Sequence, residues 1–280
     1  GGGVSQALGT GGRDLKNEEI GGTMMLMGIE ALKNDPKTSV IAIFSKPPSE
    51  SVAKKVIQAL SDSGKPGVVH FIGMKKGTDE GNIHYAESLE ETALMSVALA
   101  KGQSYSPQVF SVPESDIEEI VNRETKQMAS EQRYIRGLFT GGTLADEALI
   151  LLDDLLGGVY SNNQTKKEWL LADPHTSQEH TIVDLGDDMF TVGRPHPMID
   201  PSTREERIVA ETEDPEMAVM MLDMVLGYGS HPNPTGAILE SLERAKEIAA
   251  SRGGYLSIIA SITGTDGDFQ SVASQKQQLE

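Results

Sequence analysis

Two glycine-rich turns are the stretches of this sequence best suited to bind an anion. Glycine lets an anion approach the backbone closely, and the N-terminus of a helix offers free N–H groups and a positive dipole end. Both turns are predicted to bind phosphate or a similar anion, with a flexible end and a plain strand-to-helix turn as the respective alternatives. The residues are Gly9, Thr10, Gly11, Gly12 and Arg13 in the first turn, and Thr140, Gly141, Gly142 and Thr143 in the second.

A loop from 193 to 201 (GRPHPMIDP) places one arginine and one histidine among three prolines. Prolines lower the entropic cost of holding a site in one conformation. Arg194 is a candidate clamp for an anionic substrate and His196 a candidate for proton transfer, while a rigid surface loop with solvated side chains is the alternative. A metal site would need His196 with Asp187, Asp188 and His231, whose spacing matches no metal motif, so no metal is predicted.

The composition excludes several classes of function. The chain has 280 residues, no cysteine and a net charge of −18. Disulfides and thiol nucleophiles are therefore excluded, and the negative charge argues against nucleic acid or an anionic membrane as a partner. No apolar run approaches the roughly 18 residues of a membrane span and no signal segment is present, which predicts a cytoplasmic protein. A P-loop motif is also absent.

Apolar strand patterns alternate with amphipathic helix patterns along the chain, which indicates an α/β fold. A helix is predicted after Ser49, and capping boxes at Ser88 to Glu91 and at Ser115 to Glu118 predict two further helix starts. The second of these helices is expected to connect two halves of the chain. The strands are predicted at 40–44 (VIAIF), 68–72 (VVHFI) and 134–139 (YIRGLF), and another helix over 144–155.

One strand–helix–strand unit occurs twice. Asp35-Pro36 stands just before the first VIAIF strand, and Asp214-Pro215 stands equally far before a second apolar strand, VMMLDMVL. Gly9 and Gly186 precede these pairs by 26 and 28 residues, and each unit continues into a helix and another strand. Agreement of order and spacing at several points favours a duplication. The second copy has a leading strand, turn and helix over 134–156 that the first lacks, so the chain is expected to be a fragment or to begin inside a domain.

Charge also separates the two halves. Residues 1–135 carry 18 acidic and 14 basic side chains, whereas residues 136–280 carry 24 and 10. The resulting net charges of −4 and −14 predict two units with different surfaces.

Several stretches together resemble a known family. SQALGTGGRD, ALKNDPKTSVIAIFSKPP and GKPGVVHFIG resemble the second domain of succinyl-CoA synthetase α-subunits, and FTGGTLADEA resembles a strand-to-helix turn of the same proteins. TIVDLGDDMFTVGRPHPMIDP and AVMMLDMVLGYGSHP are most similar to FdrA, a family related to that α-subunit. The resemblance covers nearly the whole chain.

The resemblance implies two flavodoxin-like parallel-sheet domains, the first incomplete at its start. Their expected bounds are 1–112 and 133–280, joined by a helix within 113–132. It also implies that Gly9 to Gly12 lie near a phosphate or CoA region, and that the turn at Thr140 begins a helix aimed at a phosphorylated histidine. The phosphohistidine loop of the synthetases would follow the strand at 68–72, but the segment 73–87 is shorter and lacks its pattern, so His84 does not inherit that role.

The resemblance to FdrA predicts a subunit that handles acyl or carbamoyl phosphate, with carbamoyl transfer between oxalurate or oxamate and phosphate in purine breakdown. A nucleotide-dependent acyl-CoA ligase and a non-catalytic scaffold subunit are the alternatives. Expected ligands are phosphate, carbamoyl phosphate and CoA, the last held mainly by an amino-terminal domain outside this sequence. Expected partners are small anions and either further copies of the chain or other subunits.

Overall fold

The computed structural model describes residues 3–11, 13–107 and 112–280, which fold as two compact units. The units are Gly1–Ser111 and Val112–Glu280. The segment 113–132, expected to connect two domains, belongs to the second unit. Within the described ranges, no helix combines the length and the apolar composition needed to cross a bilayer.

The first unit is a three-stranded parallel sheet with the strand order β1-β2-β3. The strands predicted at 40–44 and 68–72 are confirmed as β1 and β2, each shifted by one residue. Residues 13–22 precede the first helix and form turns, not a strand. The elements are α1 (Thr23–Asn34), β1 (Ile41–Ser45), α2 (Glu50–Ser61), β2 (Gly67–Phe71), β3 (Ile83–Tyr85) and α3 (Leu89–Ala100).

The core of the first unit follows from the period of its apolar residues. Val52, Val56 and Leu60 recur at helical spacing on α2 and are fully buried. They pack with Ile41 and Ile43, whose side chains lie on one face of β1 because alternate residues of a strand share a face. Burial of each such side chain stabilises the fold by about 1.5–3 kcal/mol.

The two predicted capping boxes have different outcomes. Ser88 caps α3 as predicted, since its hydroxyl accepts a hydrogen bond from the Glu91 N–H at 3.0 Å. The box at Ser115 is wrong. The helix there begins at Glu114, because the carbonyl of Pro113 already accepts the first helical N–H groups, and Ser115 lies inside the first turn.

The second unit is a five-stranded parallel sheet with the order β5-β6-β4-β7-β8. The strand predicted at 134–139 is confirmed as β4. The helix predicted over 144–155 is observed over 142–156 and is followed by Gly157, whose φ of 75° suits glycine. The elements are α4 (Glu114–Thr125), β4 (Tyr134–Phe139), α5 (Gly142–Leu156), β5 (Tyr160–Ser161), β6 (Thr181–Asp184), α6 (Asp188–Thr191), α7 (Ser202–Glu211), β7 (Met217–Val225), α8 (Pro234–Ser251), β8 (Ser257–Thr263) and α9 (Val272–Leu279).

The strand order reverses around β4, and this reversal fixes where a ligand would bind. From β4 the chain passes to β6 on one side and then returns to β7 on the other. Apart from the two-residue edge strand β5, this is the doubly wound order of flavodoxin-like sheets. In such sheets ligands bind beyond the carboxyl ends of the strands, at the point where the order reverses. The loops after β4, β6 and β7 therefore form the expected site.

Candidate functional site

The turn after β4 is held by a carboxylate from the neighbouring strand. Asp223 lies near the end of β7 and is fully buried. Its Oδ1 accepts the backbone N–H of Thr140 at 2.8 Å, and its Oδ2 accepts the N–H of Gly141 at 2.7 Å. The Thr140 hydroxyl also donates to this carboxylate, at 3.1 Å. Two N–H groups of the predicted anion turn are thus used within the protein, which leaves those of Gly142 and Thr143 at the start of α5 for a ligand.

A buried arginine compensates the charge of Asp223. Nη1 of Arg204 lies 3.1 Å from Oδ1 of Asp223 and donates to its backbone carbonyl at 2.6 Å. Burial lowers the pKa of Arg204, and the charge of Asp223 opposes that shift. Nε of Arg204 has no hydrogen-bond partner, and neither does the buried hydroxyl of Thr235. A cavity of about 10 Å³ lies beside Arg204 and Thr140, which is close to the space that one water molecule needs.

A second buried carboxylate approaches the same turn from β6. A Cβ on Gly142 would lie 2.5 Å from Oδ2 of Asp184, so only glycine allows this approach. Oδ1 of Asp184 accepts the N–H of Gly186 at 2.9 Å, and Oδ2 accepts the side-chain amide of Asn163 at 3.1 Å. Asn162 binds both backbone groups of Asp184. The loop after β5 therefore fixes the orientation of this carboxylate.

Gly186 is the point where three loops of the site meet. A Cβ at this position would lie 2.6 Å from Nε2 of His196, 2.9 Å from the carbonyl oxygen of Thr140 and 3.1 Å from Oδ1 of Asp184. Real Cβ atoms essentially never approach other atoms as closely as the first two of these distances, so any side chain here would displace His196 or the Thr140 carbonyl. The structure thus brings His196 to the turn at Thr140, as a site built from both would require.

The orientation of His196 determines which of its nitrogens faces the site. Nδ1 accepts the backbone N–H of Met198 at 3.2 Å, so in the neutral ring the proton is on Nε2. The carbonyl of His196 also accepts the N–H groups of Ile199 and Asp200 at 2.8 and 3.0 Å. The loop is joined to the segment after β7, because the N–H of His231 donates to the carbonyl of Met198 at 2.8 Å. Nε2 is therefore presented towards Gly186 on a loop held at several points.

Arg194 lies away from this cluster. Its side chain is 60 % exposed, and its charged partner is the exposed Glu206 at 3.9 Å. An ion pair between two exposed side chains contributes little to stability. The structure does not bring Arg194 together with His196 and the turn at Thr140.

The first glycine-rich turn lies in the other unit, and Gly12 is outside the described residues. Gly9, Gly11 and Arg13 are exposed. The carboxylate of the following residue, Asp14, accepts the N–H groups of Met24 and Met25, both at 2.9 Å. The N-terminus of α1 is thus capped by the protein's own carboxylate, which occupies the place that an anion would take.

No metal centre is formed by the described residues, since no three His, Asp or Glu side chains are arranged to hold an ion.

The residues that sequence reasoning missed are the carboxylates that shape the turn. Asp223 is a single acidic residue inside the apolar run VMMLDMVL. A lone carboxylate near the carboxyl end of a predicted buried strand was the available signal, since a buried charge requires partners.

Comparison with known proteins identifies the family. A family model for CoA-ligase matches residues 138–280. The protein YahF of Escherichia coli (strain K12), described as uncharacterized, is 45% identical over 280 residues, which is all of this chain and 53% of that protein. The chain therefore spans about half the length of this curated relative.

Among solved structures, two of a dinucleotide forming acetyl-coenzyme A synthetase 1 from Ca. Korarchaeum cryptofilum show a distant likeness. One is a complex with phosphate and ADP and the other is the apo form. Each is 15% identical with a TM-score of 0.33, over 90% of this chain and 51% of theirs, which is too distant to support an argument. The CoA-ligase match, by contrast, covers half of the chain and includes α5, Asp184, His196 and Asp223, and the chain belongs to the CoA-ligase family.

Proposed function

We propose that the second unit binds an acyl phosphate, as part of an enzyme of the acyl-CoA ligase type. The proposal rests on one observation, which is that the candidate site lies within the residues that the CoA-ligase family model matches. The residues matched by the CoA-ligase family are the ones that place a helix N-terminus, a fixed histidine and a glycine contact at the point where the sheet order reverses.

The geometry suits a compact anion. The N–H groups of Gly142 and Thr143 and the dipole of α5 would bind phosphate oxygens. Nε2–H of His196 would donate to the same anion or transfer a proton to the leaving group. Asp223 would act as a positioning residue, because it holds the turn from behind while Arg204 compensates its charge.

The proposal assigns the phosphate end of an acyl phosphate to the site and derives no step through CoA. Within this class, the resemblance to FdrA makes carbamoyl phosphate the first compound to test, and acetyl phosphate the second.

The proposal is tested by following the amide NMR signals of Gly142 and Thr143 while phosphate, acetyl phosphate or carbamoyl phosphate is added to the 280-residue chain. We expect both signals to shift, with an acyl phosphate bound more tightly than phosphate. Preference for carbamoyl over acetyl phosphate would support the finer assignment.

Two variants separate the site from its surroundings. His196→Asn keeps an oxygen that can accept the Met198 N–H but removes Nε2, and it should weaken binding about tenfold, the value of one charge-assisted hydrogen bond. Arg194→Ala is the matched control from the same loop and should bind as the unmodified chain does. Unshifted signals with all three anions would overturn the proposal.

A further inference from the structure

Two His-Pro-X segments of the second unit, HPM and HPN, hold their histidines in the same way. Nδ1 of His196 accepts the backbone N–H of Met198 at 3.2 Å. Nδ1 of His231 accepts that of Asn233 at 3.1 Å, again from the residue two positions further on. In both neutral rings the proton is therefore on Nε2, which is the nitrogen left for a ligand. Both side chains are half-buried, so His231 is prepared for the same kind of contact as His196.

The loop that carries His231 is held from two sides. Its own N–H donates to the carbonyl of Met198 at 2.8 Å, which joins the loop to the segment of the first histidine. From the loop after β8, the buried amide of Gln270 donates to the carbonyl of Gly227 at 2.8 Å and to the hydroxyl of Ser230 at 3.0 Å. The same amide donates to the carbonyl of His231 at 3.3 Å. The position of this histidine beside the other loop is therefore fixed before any ligand binds.

His231 faces the small cavity beside the turn after β4. Thr140 and Arg204 line the same cavity, and Nε of Arg204 is buried without a hydrogen-bond partner. Both of these residues, the histidine and the arginine, offer an N–H group, so an atom bound between them should be a hydrogen-bond acceptor. The phosphate is assigned to the start of α5, two residues after Thr140. An acyl phosphate carries one further acceptor close to its phosphate, which is the carbonyl oxygen.

We infer that His231 is a second ligand-binding histidine of the site, and that its Nε2–H donates to the carbonyl oxygen of the acyl group. The inference rests on the acyl-phosphate proposal and deepens it. The start of α5 and His196 bind the phosphate, which every phosphate ester possesses. His231 binds the group that an acyl phosphate has and that phosphate or an alkyl phosphate lacks, so it determines the specificity of the site.

Acetyl phosphate and ethyl phosphate are suitable probes, because the second lacks the carbonyl oxygen of the first. Each is added to the 280-residue chain at about pH 8, above the second pKa of about 6 of a phosphate monoester, so that charge does not distinguish them. The amide NMR signals of Gly142 and Thr143 give both affinities. We expect acetyl phosphate to bind about fivefold more tightly, which is the net contribution of one hydrogen bond. The Nε2 signal of His231 should shift with acetyl phosphate and much less with ethyl phosphate.

His231→Asn keeps an oxygen that can accept the Asn233 N–H but removes Nε2. Its affinity for acetyl phosphate should fall about fivefold. Its affinities for ethyl phosphate and for phosphate should not change, and they show at the same time that the variant is folded. Tyr228→Ser is the matched control, because Tyr228 lies on the same loop with a fully exposed side chain, and this variant should keep the preference for acetyl phosphate.

The possible failures of the two proposals differ. If phosphate and ethyl phosphate shift the Gly142 and Thr143 signals, but His231→Asn retains the preference for acetyl phosphate, the inference about His231 is wrong and the anion site stands. An equal loss of affinity for all three anions would also overturn the inference, because His231 would then act on the phosphate or on the fold. If none of the anions shifts the two signals, both proposals are overturned.

Discussion

The two units contain the same strand–helix–strand pattern, but they differ in which strand of the pattern lies at the edge of its sheet. In the first unit β2 is covered by β3 and β1 is open, whereas in the second unit β7 is covered by β4 and β8 is the edge strand. The difference extends to single residues, since Phe44 is exposed on the open strand and the corresponding Asp223 is buried on the covered one. The candidate site thus depends less on the repeated pattern than on the segment β4–α5, which has no counterpart among the described residues of the first unit.

The comparison predicts that the corresponding positions 44 and 223 differ greatly in their effect on stability. Asp223→Ala should lower the free energy of unfolding of the second unit by about 3–5 kcal/mol, because it leaves Arg204 buried without its counter-charge. The N–H groups of Thr140 and Gly141 also lose their acceptor. Phe44→Ala in the first unit should cost much less, since its ring is mostly exposed. Urea unfolding followed by signals from each unit measures both, and equal losses would show that Asp223 does not hold the turn.

We expect the next largest difference in stability at Gly9 and Gly186, the glycines that precede the two Asp-Pro pairs. Gly186→Ala should destabilise the second unit by about 1–3 kcal/mol, because the new methyl group overlaps the ring of His196 and the carbonyl of Thr140. It should also weaken anion binding at α5. Gly9→Ala is the counterpart in the first unit, where no atom lies within 4 Å of the new methyl group, and its stability should stay within about 0.5 kcal/mol. Thermal unfolding of both variants tests this, and a stable Gly186→Ala chain would contradict the close contact.

The two predicted capping boxes provide a smaller contrast between the units. Ser88→Ala removes the acceptor for the Glu91 N–H and should cost the first unit about 1 kcal/mol. Ser115→Ala removes no cap, since the Ser115 hydroxyl donates to the neighbouring Asp116 carboxylate, and should have little effect. Chemical denaturation of the two variants decides the matter. A similar loss in both would mean that α4 begins at Ser115 after all.

These contrasts also show what sequence reasoning was able to reach. The strands at 40–44, 68–72 and 134–139 were predictable because each is a short apolar run, the pattern typical of strands in a parallel sheet. Every residue of β2 is buried, whereas β1 leaves Ala42 and Phe44 exposed. The turn at Thr140 was located correctly between a strand and a helix. Its partner Asp223 was not predicted, because the bond joins residues 83 positions apart and depends on β7 lying next to β4. The strand order, and with it the chemistry of the turn, is decided by packing and not by local pattern.

The smallest expected effect is a dependence of the second unit's stability on pH. Burial, and then the charge of Arg136, lowers the pKa of His180 in the second unit, while Glu179 opposes the shift. Nδ1 of His180 accepts the Ile135 N–H at 3.2 Å, a bond that protonation would break. Because the folded pKa lies below the unfolded value of about 6.5, the unfolded chain binds the proton first, and the second unit should lose stability as the pH falls from about 6.5 through the folded pKa.

His180→Asn keeps an acceptor for Ile135 but does not titrate, so urea midpoints of the second unit between pH 7 and pH 5 should become less dependent on pH. Equal pH dependence in the unmodified chain and in His180→Asn would assign the acid sensitivity to other groups. His180 would then contribute nothing to the difference in stability between the units. The larger difference expected at Asp223 would be unaffected, because Asp223 pairs with Arg204 and not with this histidine.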